Sequence, residues 1–449
     1  EGEATMAQQS IKKLFLSASI AAALAVSGSA FGDGTSTEDL EARIAELEAL
    51  VQQLLNQQAA PKEDDCCADA EAATAAAEEK FNAMMAEHKA AEAEAEHKHS
   101  YAFGGYIKLD SMYSDYSDGS SAGAGRDFYI PGTIPVGGGD GESYLDFHGK
   151  ESRINFKSTH NLDNGAKLGT FFEMDFHLSG QGDERISNSY APRVRHAFFT
   201  YNKWLFGQTW MTFFNVGALP ENLDFVGPAE STVFGRQAMI RYTSGSWQFA
   251  AENPETTITP YGGGPRIVAD DNRMPDLVGR FSFGSFTVAG MLRELRYDNN
   301  AGMSDSTSGW GVSVSGKHMI GSRDDFRWMA TAGSGLGRYV GLNTTNDAVL
   351  DVNGNLESID QMSIFGSYRH FWNDQWRSNL TLGYLSIDND TALTGMGATS
   401  DASSIHVNLI YSPVPKMDFG VELLFANREL ESGADGDMTR LQFSAKYAY

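Results

Sequence analysis

Apolar and polar residues alternate along most of the chain from residue 101 to its end. In the last segment, Leu441, Phe443 and Ala445 alternate with Gln442 and Ser444. A period of two is the pattern of a β-strand with one apolar face and one polar face. Because the pattern recurs over many segments of about ten residues, the length at which a tilted strand crosses a bilayer, it predicts an all-β transmembrane barrel.

Short turns and long loops alternate between these segments. Asp163-Asn164-Gly165 and Gly284-Ser285 have the composition of hairpin turns. The stretches 115–141, 180–190, 297–308 and 341–356 are longer and rich in Gly, Asp and Ser. Barrels of the outer membrane have short turns on the periplasmic side, so both chain ends are expected there. We predict about 16 antiparallel strands, starting near 101, 147, 166, 192, 204, 236, 246, 275, 286, 309, 325, 358, 375, 403, 417 and 439.

The composition agrees with this fold class and argues against two others. The mean hydropathy of -0.33 is too low for a helical membrane protein. The net charge of -25 would repel the phosphates of nucleic acid. No stretch has the residues of a recognisable catalytic motif. The glycine-rich run 333–337, which imitates a phosphate loop, is not followed by a helical pattern. We therefore expect no enzyme activity, no cofactor and no metal.

The N-terminus has the three parts of an export signal. Lys12 and Lys13 precede an apolar stretch at 14–26, and small residues follow at 27–30. About a dozen apolar residues are too few to span a bilayer. We therefore predict a signal peptide with a leading extension over residues 1–32.

Residues 33–60 have a heptad pattern. The leucines at 40, 47 and 54 fit position d, and Ile44 and Val51 fit position a. This pattern predicts a short coiled coil. A β-branched residue at a with leucine at d favours two strands in isolation, although a trimeric barrel could impose three.

Residues 61–100 form a linker between the predicted coiled coil and the barrel. Pro61 ends the helix, and the rest is rich in Ala and Glu without an apolar stripe. Cys66 and Cys67 are the only cysteines. They could link protomers in the oxidising periplasm or be free thiols, and the sequence does not decide between these.

One long connection, 211–234, is apolar and contains proline. Such a loop would be costly in water, and it follows the fifth predicted strand. We therefore predict that it folds into the lumen as the constriction loop of a sixteen-stranded porin. The residues of this loop that we predict to form the constriction are Phe213, Pro220, Glu221, Asp224 and Phe225.

Alternation also predicts which charged side chains face the lumen. Basic rings select anions in pores, and the arginine fork fits carboxylates. Acidic side chains on the opposite side of the lumen would create an electric field across the pore. Alternatively, the same acidic and basic side chains could form ion pairs that only stabilise the barrel wall. The predicted basic set is Lys108, Arg153, Lys157, Arg193, Arg195, Arg241, Arg280 and Arg293, and the acidic set is Asp110, Glu173, Asp175, Glu252 and Asp276.

Five stretches resemble the DcaP-like family of trimeric outer-membrane porins. They are Gly105-Tyr106-Ile107-Lys108-Leu109-Asp110, Arg193-Val194-Arg195-His196-Ala197, Gly207-Gln208-Thr209-Trp210, Glu252-Asn253-Pro254-Glu255 and Asn272-Arg273-Met274-Pro275-Asp276-Leu277-Val278. The resemblance spans residues 40–449. It implies a homotrimer and passage of small anions, including dicarboxylates, and we add Gln208 to the predicted pore-lining set.

We therefore predict a barrel over 101–449 that acts as a porin for passive diffusion of small hydrophilic anions. The alternative is a general or cation-preferring porin with a tethering role for its N-terminal stalk. The expected place is the outer membrane of a Gram-negative bacterium, with the N-terminal segment in the periplasm. The expected partners are two further copies, or one in a dimer, outer-membrane lipid and lipopolysaccharide, peptidoglycan, and the barrel-assembly machinery through the aromatic end at Tyr449.

Overall fold

The computed structural model describes residues 98–449, except 122 and 179–180, and before them only Asn82, Ala83 and Met85. The predicted signal peptide (1–32), coiled coil (33–60), cysteine pair and most of the linker (61–100) lie outside the described residues. The chain divides into two compact units, Glu1–Ala90 and Ala91–Tyr449, and the second contains every strand of the described part.

The first half of this unit consists of strands separated by loops of very different lengths. Its strands are β1 (His99–Tyr116), β2 (Ser143–His148), β3 (Arg153–Asn161), β4 (Lys167–Asp175), β5 (Arg193–Tyr201), β6 (Trp204–Trp210), β7 (Arg236–Ser244), β8 (Trp247–Glu252), β9 (Thr256–Thr259), β10 (Ile267–Ala269) and β11 (Asp276–Phe283).

The second half contains longer strands. They are β12 (Phe286–Asp298), β13 (Ser304–Ile320), β14 (Asp324–Ser334), β15 (Ala348–Leu350), β16 (Leu356–Ser358), β17 (Asp360–Phe371), β18 (Trp376–Asp388), β19 (Thr399–Tyr411), β20 (Met417–Leu430) and β21 (Asp435–Ala448). The helices within residues 99–449 are single turns: α1 (Ala124–Asp127), α2 (Thr391–Thr394) and 3-10 turns at Pro131–Thr133, Val216–Ala218, Ala229–Ser231 and Gly341–Asn343.

Seventeen of these strands form one closed antiparallel sheet. The ring closes where β1 pairs with β21, with Tyr106 opposite Ala448. β2 and β3 are separated only by residues 149–152, and both pair with β1, so they act as one barrel strand. The result is a closed antiparallel barrel of 16 strands, which confirms the predicted barrel and its strand number.

Side chains alternate between the two faces of this sheet as the sequence predicts. On β19, Ile405, Val407 and Leu409 are exposed on the outside, whereas His406 and Asn408 between them are buried. Because successive side chains of a strand point to opposite faces, one face of the wall is apolar and the other polar. Among the described residues, no helix has the length and apolar character needed to cross a membrane.

The two ends of the barrel differ. Short turns, including 162–166 and 202–203, lie at the end where β1 begins and β21 ends. Most long loops lie at the other end, but the predicted loop 297–308 is much shorter. Here the prediction is wrong, because residues 304–308 continue to pair with 294–298 and extend the hairpin to a connection at 299–303.

Two long loops at this far end build a second, small sheet. β9 and β10 come from the loop 253–275, and β15 and β16 from the loop 335–359. The four strands pair in the order β10-β9-β15-β16, with β9 and β15 parallel. The sequence predicted a loop at 341–356 and no further strand between those that start near 246 and 275, so all four short strands were missed.

Candidate functional site

Residues 211–235, which we call the inner loop, connect β6 to β7 and fold inside the barrel. The loop forms hydrogen bonds with inward side chains of nine wall strands. Arg280 on β11 donates to the Phe214 carbonyl (2.9 Å), and Lys108 on β1 donates to the Leu223 carbonyl (2.8 Å). The loop therefore follows the inside of the wall from β11 round to β1.

The wall beneath the inner loop combines an apolar patch with many small polar side chains. Phe213, Phe214 and Ala218 of the loop are fully buried against inward apolar residues of the wall. Small polar residues leave room for a loop and offer partners for its main chain. The buried set on this side is Ser313, Ser315, Thr331, Ser363, Ser367, Asn379, Thr381, Ser404, Asn408 and Ser444.

Two carboxylates of the inner loop are held by basic side chains of the wall. Glu221 accepts hydrogen bonds from Arg377 (2.7 Å) and Arg369 (2.8 Å). Burial opposes the charge of Glu221, but Arg377 and then Arg369 hold its pKa below the ordinary value. Asp224 accepts from the Tyr129 amide (2.8 Å) and lies 3.7 Å from Arg440. Burial raises the pKa of Asp224 despite that arginine.

The opposite part of the wall, from β3 to β7, carries four arginines that we call the arginine cluster: Arg153, Arg193, Arg195 and Arg236. Arg193 donates to both oxygens of Asp175 (2.9 Å each). Arg195 donates to Asp175 (2.6 Å) and to Glu173 (2.7 Å), and Arg153 lies 3.9 Å from Glu173. Three guanidinium groups thus share two carboxylates, and Arg236 adds a fourth, so the cluster carries excess positive charge.

Aromatic rings of the inner loop and its border stand among these arginines. The guanidiniums of Arg195 and Arg153 lie 5.5 and 5.7 Å from the Phe225 ring centroid. Those of Arg236 and Arg195 lie 4.5 and 5.6 Å from the Trp210 ring. These distances fit cation–π contacts. The rings link three of the arginines into one continuous basic surface next to the loop.

Arg236 differs from its neighbours because it has no acidic partner. Within the described part of the chain, no carboxylate lies within ion-pair distance of its guanidinium, and its Nη1 has no hydrogen bond. Arg153 has a similar gap at Nε, and its side chain is 19% exposed, compared with 23% for Arg193. The cluster therefore contains buried guanidinium N–H groups that no described protein group satisfies.

Several predicted lumen residues are paired within the protein instead. Lys108 forms ion pairs with Glu151 and with Asp110 (3.2 Å). Arg293 pairs with Asp347 (2.8 Å) and Asp276 (3.4 Å), and all three side chains are fully buried. These groups brace the wall and the far-end loops.

Other predicted residues hold the ends of the inner loop. Glu252 accepts from the Thr212 amide (2.7 Å) and from Gln237 (2.5 Å). Arg241 donates to the Thr212 hydroxyl (2.8 Å), and Arg280 contacts Phe214 as described above. The loop thus begins on a network of buried polar groups of β7, β8 and β11.

Two members of the predicted set stand apart. Lys157 is exposed and has no ion-pair partner in the part of the chain that the structure describes. Gln208 pairs with Ala197 and Ala238, on the face opposite that of Thr209. Its amide donates to the main-chain carbonyl of Val194 (3.3 Å).

The predicted residues of the loop occupy three different positions. Phe213 lies in the apolar core beneath the loop. Glu221 and Asp224, with Pro220 just before them, lie on the side that docks on β17–β21. Phe225 is only partly buried and faces the arginine cluster.

Sequence reasoning missed Arg236, Arg369, Arg377 and Glu422. Alternation places Arg241 inward and therefore Arg236 outward, but Arg236 is the first residue of its strand and lies opposite Trp210 in the register. Alternation does not hold at a strand end where the chain leaves the wall. An arginine that directly ends an apolar loop is the signal that could have identified it.

Comparisons with known proteins agree with this fold. The family model for the DcaP outer membrane protein matches residues 36–449. The outer membrane channel DcaP of Acinetobacter baumannii superposes with a TM-score of 0.63 at 21% identity, over 78% of this chain and 98% of that one. The trimeric form of OmpT of Vibrio cholerae gives a TM-score of 0.46 at 14% identity, over 78% and 100%. No curated protein sequence matches the chain.

Proposed function

The chain belongs to the DcaP outer membrane protein family, and from this premise we propose that it is a porin for passive diffusion of small hydrophilic anions. The observation that carries the proposal is the arginine cluster, in which Arg236 has no carboxylate partner. Ringed basic side chains select anions in pores. Since a guanidinium binds a carboxylate through two parallel hydrogen bonds, a dicarboxylate can engage two members of the cluster at once.

In this proposal the inner loop is the constriction loop. The wall from β11 to β21 is covered by the loop, which leaves the side from β3 to β7 for the solute. The pore would run between Phe225 and the arginine cluster. The paired residues Lys108, Arg293 and their acids would support the wall, while Lys157 would attract anions at the end with the short turns.

The N-terminal segment has a separate proposed role. Residues 33–60 would form a periplasmic coiled coil, and the protein would be a homotrimer in the outer membrane. Both assignments come from the heptad pattern and the family resemblance. A coil of two or three heptads is too short to be stable alone, so the barrels would supply most of the association.

Planar-bilayer recording in a salt gradient tests the proposal. We expect the reversal potential of the unmodified protein to show a preference for anions over cations. In Arg236→Ala the reversal potential should shift towards zero, because the preference for anions is weakened. This substitution leaves no buried carboxylate unpaired, unlike Arg193→Ala combined with Arg195→Ala, which should shift the potential further but strands Glu173 and Asp175.

The matched control is Arg323→Ala. Arg323 is 53% exposed and pairs with Asp374 at a short turn, so its loss should not alter the reversal potential. Cation preference in the unmodified protein would reject the anion pathway. It would favour the alternative of a general or cation-preferring porin that tethers the envelope through its stalk.

A further inference from the structure

Glu422 lies on the inward face of β20 and is 1% exposed. Its two oxygens accept five hydrogen bonds. Three come from the inner loop: the Leu223 amide (2.7 Å), the Asp224 amide (3.3 Å) and the Asn222 side chain (3.2 Å). Two come from β19: His406 Nδ1 (3.1 Å) and Asn408 Nδ2 (2.9 Å).

This arrangement divides into a fixed half and a movable half. His406 and Asn408 are wall residues, and they orient the carboxylate from the neighbouring strand. The loop then presents consecutive main-chain amides to it. Hydrogen bonds to a charged acceptor are roughly twice as strong as those to a neutral one. One wall carboxylate therefore holds the turn 222–224 more strongly than any neutral wall side chain could.

An apolar socket next to Glu422 fixes the same turn. Gly420 lies two residues earlier on the same inward face, and Leu223 packs directly over it. A Cβ at position 420 would lie 2.7 Å from Leu223 Cδ2, closer than real Cβ contacts allow. The turn is thus located by a charged contact and by a shape contact on one strand.

Phe225 follows this turn and stands over Arg153 and Arg195 at 5.7 and 5.5 Å. Any displacement of 222–224 moves this ring relative to the arginine cluster. We propose that Glu422 is the positioning residue that fixes the tip of the inner loop and thereby sets the opening between Phe225 and the arginine cluster. This inference rests on the proposed function.

The first test is single-channel conductance of Glu422→Gln. An amide can accept at only one atom, so in either orientation its NH2 group would face at least one main-chain amide of the loop, that of Leu223 or that of Asp224. We expect a higher and noisier conductance and a larger solute size limit in liposome swelling. Glu429→Gln, the same substitution at an exposed position of β20, should behave like the unmodified protein.

A second variant covers the case in which Glu422→Gln does not fold. Gly420→Ala keeps the charge but obstructs the Leu223 socket, so it should change conductance in the same direction. Heat-modifiable migration on gels would show that the barrel is intact. Unchanged conductance in both folded variants would overturn the inference.

A third measurement does not depend on conduction. In a background with Cys66→Ser and Cys67→Ser, maleimide should label Asn222→Cys faster when Glu422→Gln is added. If the unmodified protein forms no channel, the proposed function fails, yet this labelling still reports whether Glu422 holds the turn. An equal labelling rate with and without Glu422→Gln would reject the positioning role by itself.

Discussion

Glu230 is a carboxylate of the inner loop that is fully buried and poorly satisfied. One oxygen accepts from Ser404 Oγ (2.8 Å), and the other has no hydrogen bond among the described residues. Burial raises the pKa of Glu230. The docked loop therefore favours the neutral carboxyl group, whereas a released loop would leave Glu230 in water with an ordinary pKa.

This shift predicts a pH dependence of loop docking. Docking should be strongest below the ordinary glutamate pKa of about 4.3 and should weaken as the pH rises through the raised pKa, because the ionised form prefers solvent. We expect conductance noise to increase between acid and neutral pH, with a flatter profile in Glu230→Gln. Burial also raises the pKa of Asp224, so this residue should account for the pH dependence of conductance noise that remains in Glu230→Gln. If conductance noise changed with pH equally in the unmodified protein and in Glu230→Gln, the assignment of this pH dependence to Glu230 would be contradicted.

At the scale of elements, the inner loop and β18 fit by shape. Gly383 faces inward on β18, and a Cβ there would lie 2.0 Å from Glu230 Oε1 and 2.6 Å from Ser231 Oγ. The 3-10 turn Ala229–Ser231 therefore docks on this strand only because position 383 has no side chain. Burying one extra methyl group in a packed site typically costs about 1–3 kcal/mol.

Gly383→Ala should therefore loosen the loop from the wall without opening the barrel. We expect altered single-channel conductance and a lower thermal midpoint. Gly290→Ala on β12 is the matched control, since a Cβ at that position meets nothing within 4 Å. A similar change in both variants would point to a general effect of glycine replacement in the strands and not to loop docking.

At the scale of the whole molecule, the barrel is a closed unit that begins at β1. β1 starts at His99, and its far half pairs with β21 to complete the ring. In the described part of the chain, the hydrogen bonds between wall strands are therefore made by residues 99–449. Closure of this kind leaves no wall strand of the described residues with an unpaired edge.

Deletion of residues 33–97 should consequently leave the conductance and anion preference per barrel intact. If the heptads at 33–60 assist assembly, the oligomer should dissociate at a lower temperature on native gels. Bilayer recording and gel analysis of the same sample would separate the two effects. Loss of conductance in a correctly folded barrel would show that the stalk does more than tether.

The sequence by itself determined the barrel, its strand number and most inward positions. These follow from a local rule, because side chains at i and i+1 of a strand always point to opposite faces. Ile405, Val407, Leu409, His406 and Asn408 lie on the faces that alternation predicts. The rule failed where the chain leaves the wall, as at Arg236, at the bulge that leaves both Arg195 and His196 buried, and where pairing extends past the expected strand end, as at 304–308.

Only the tertiary structure decided which charged side chains form ion pairs and which have no partner of opposite charge. Glu221 meets Arg377 across 156 positions of the chain, and Leu223 meets Glu422 across 199. Such contacts depend on where the inner loop docks, and docking depends on small side chains and missing Cβ atoms spread over several strands. Alternation assigns a face to each residue but not a partner, so the excess charge near Arg236 follows only from the assembled barrel.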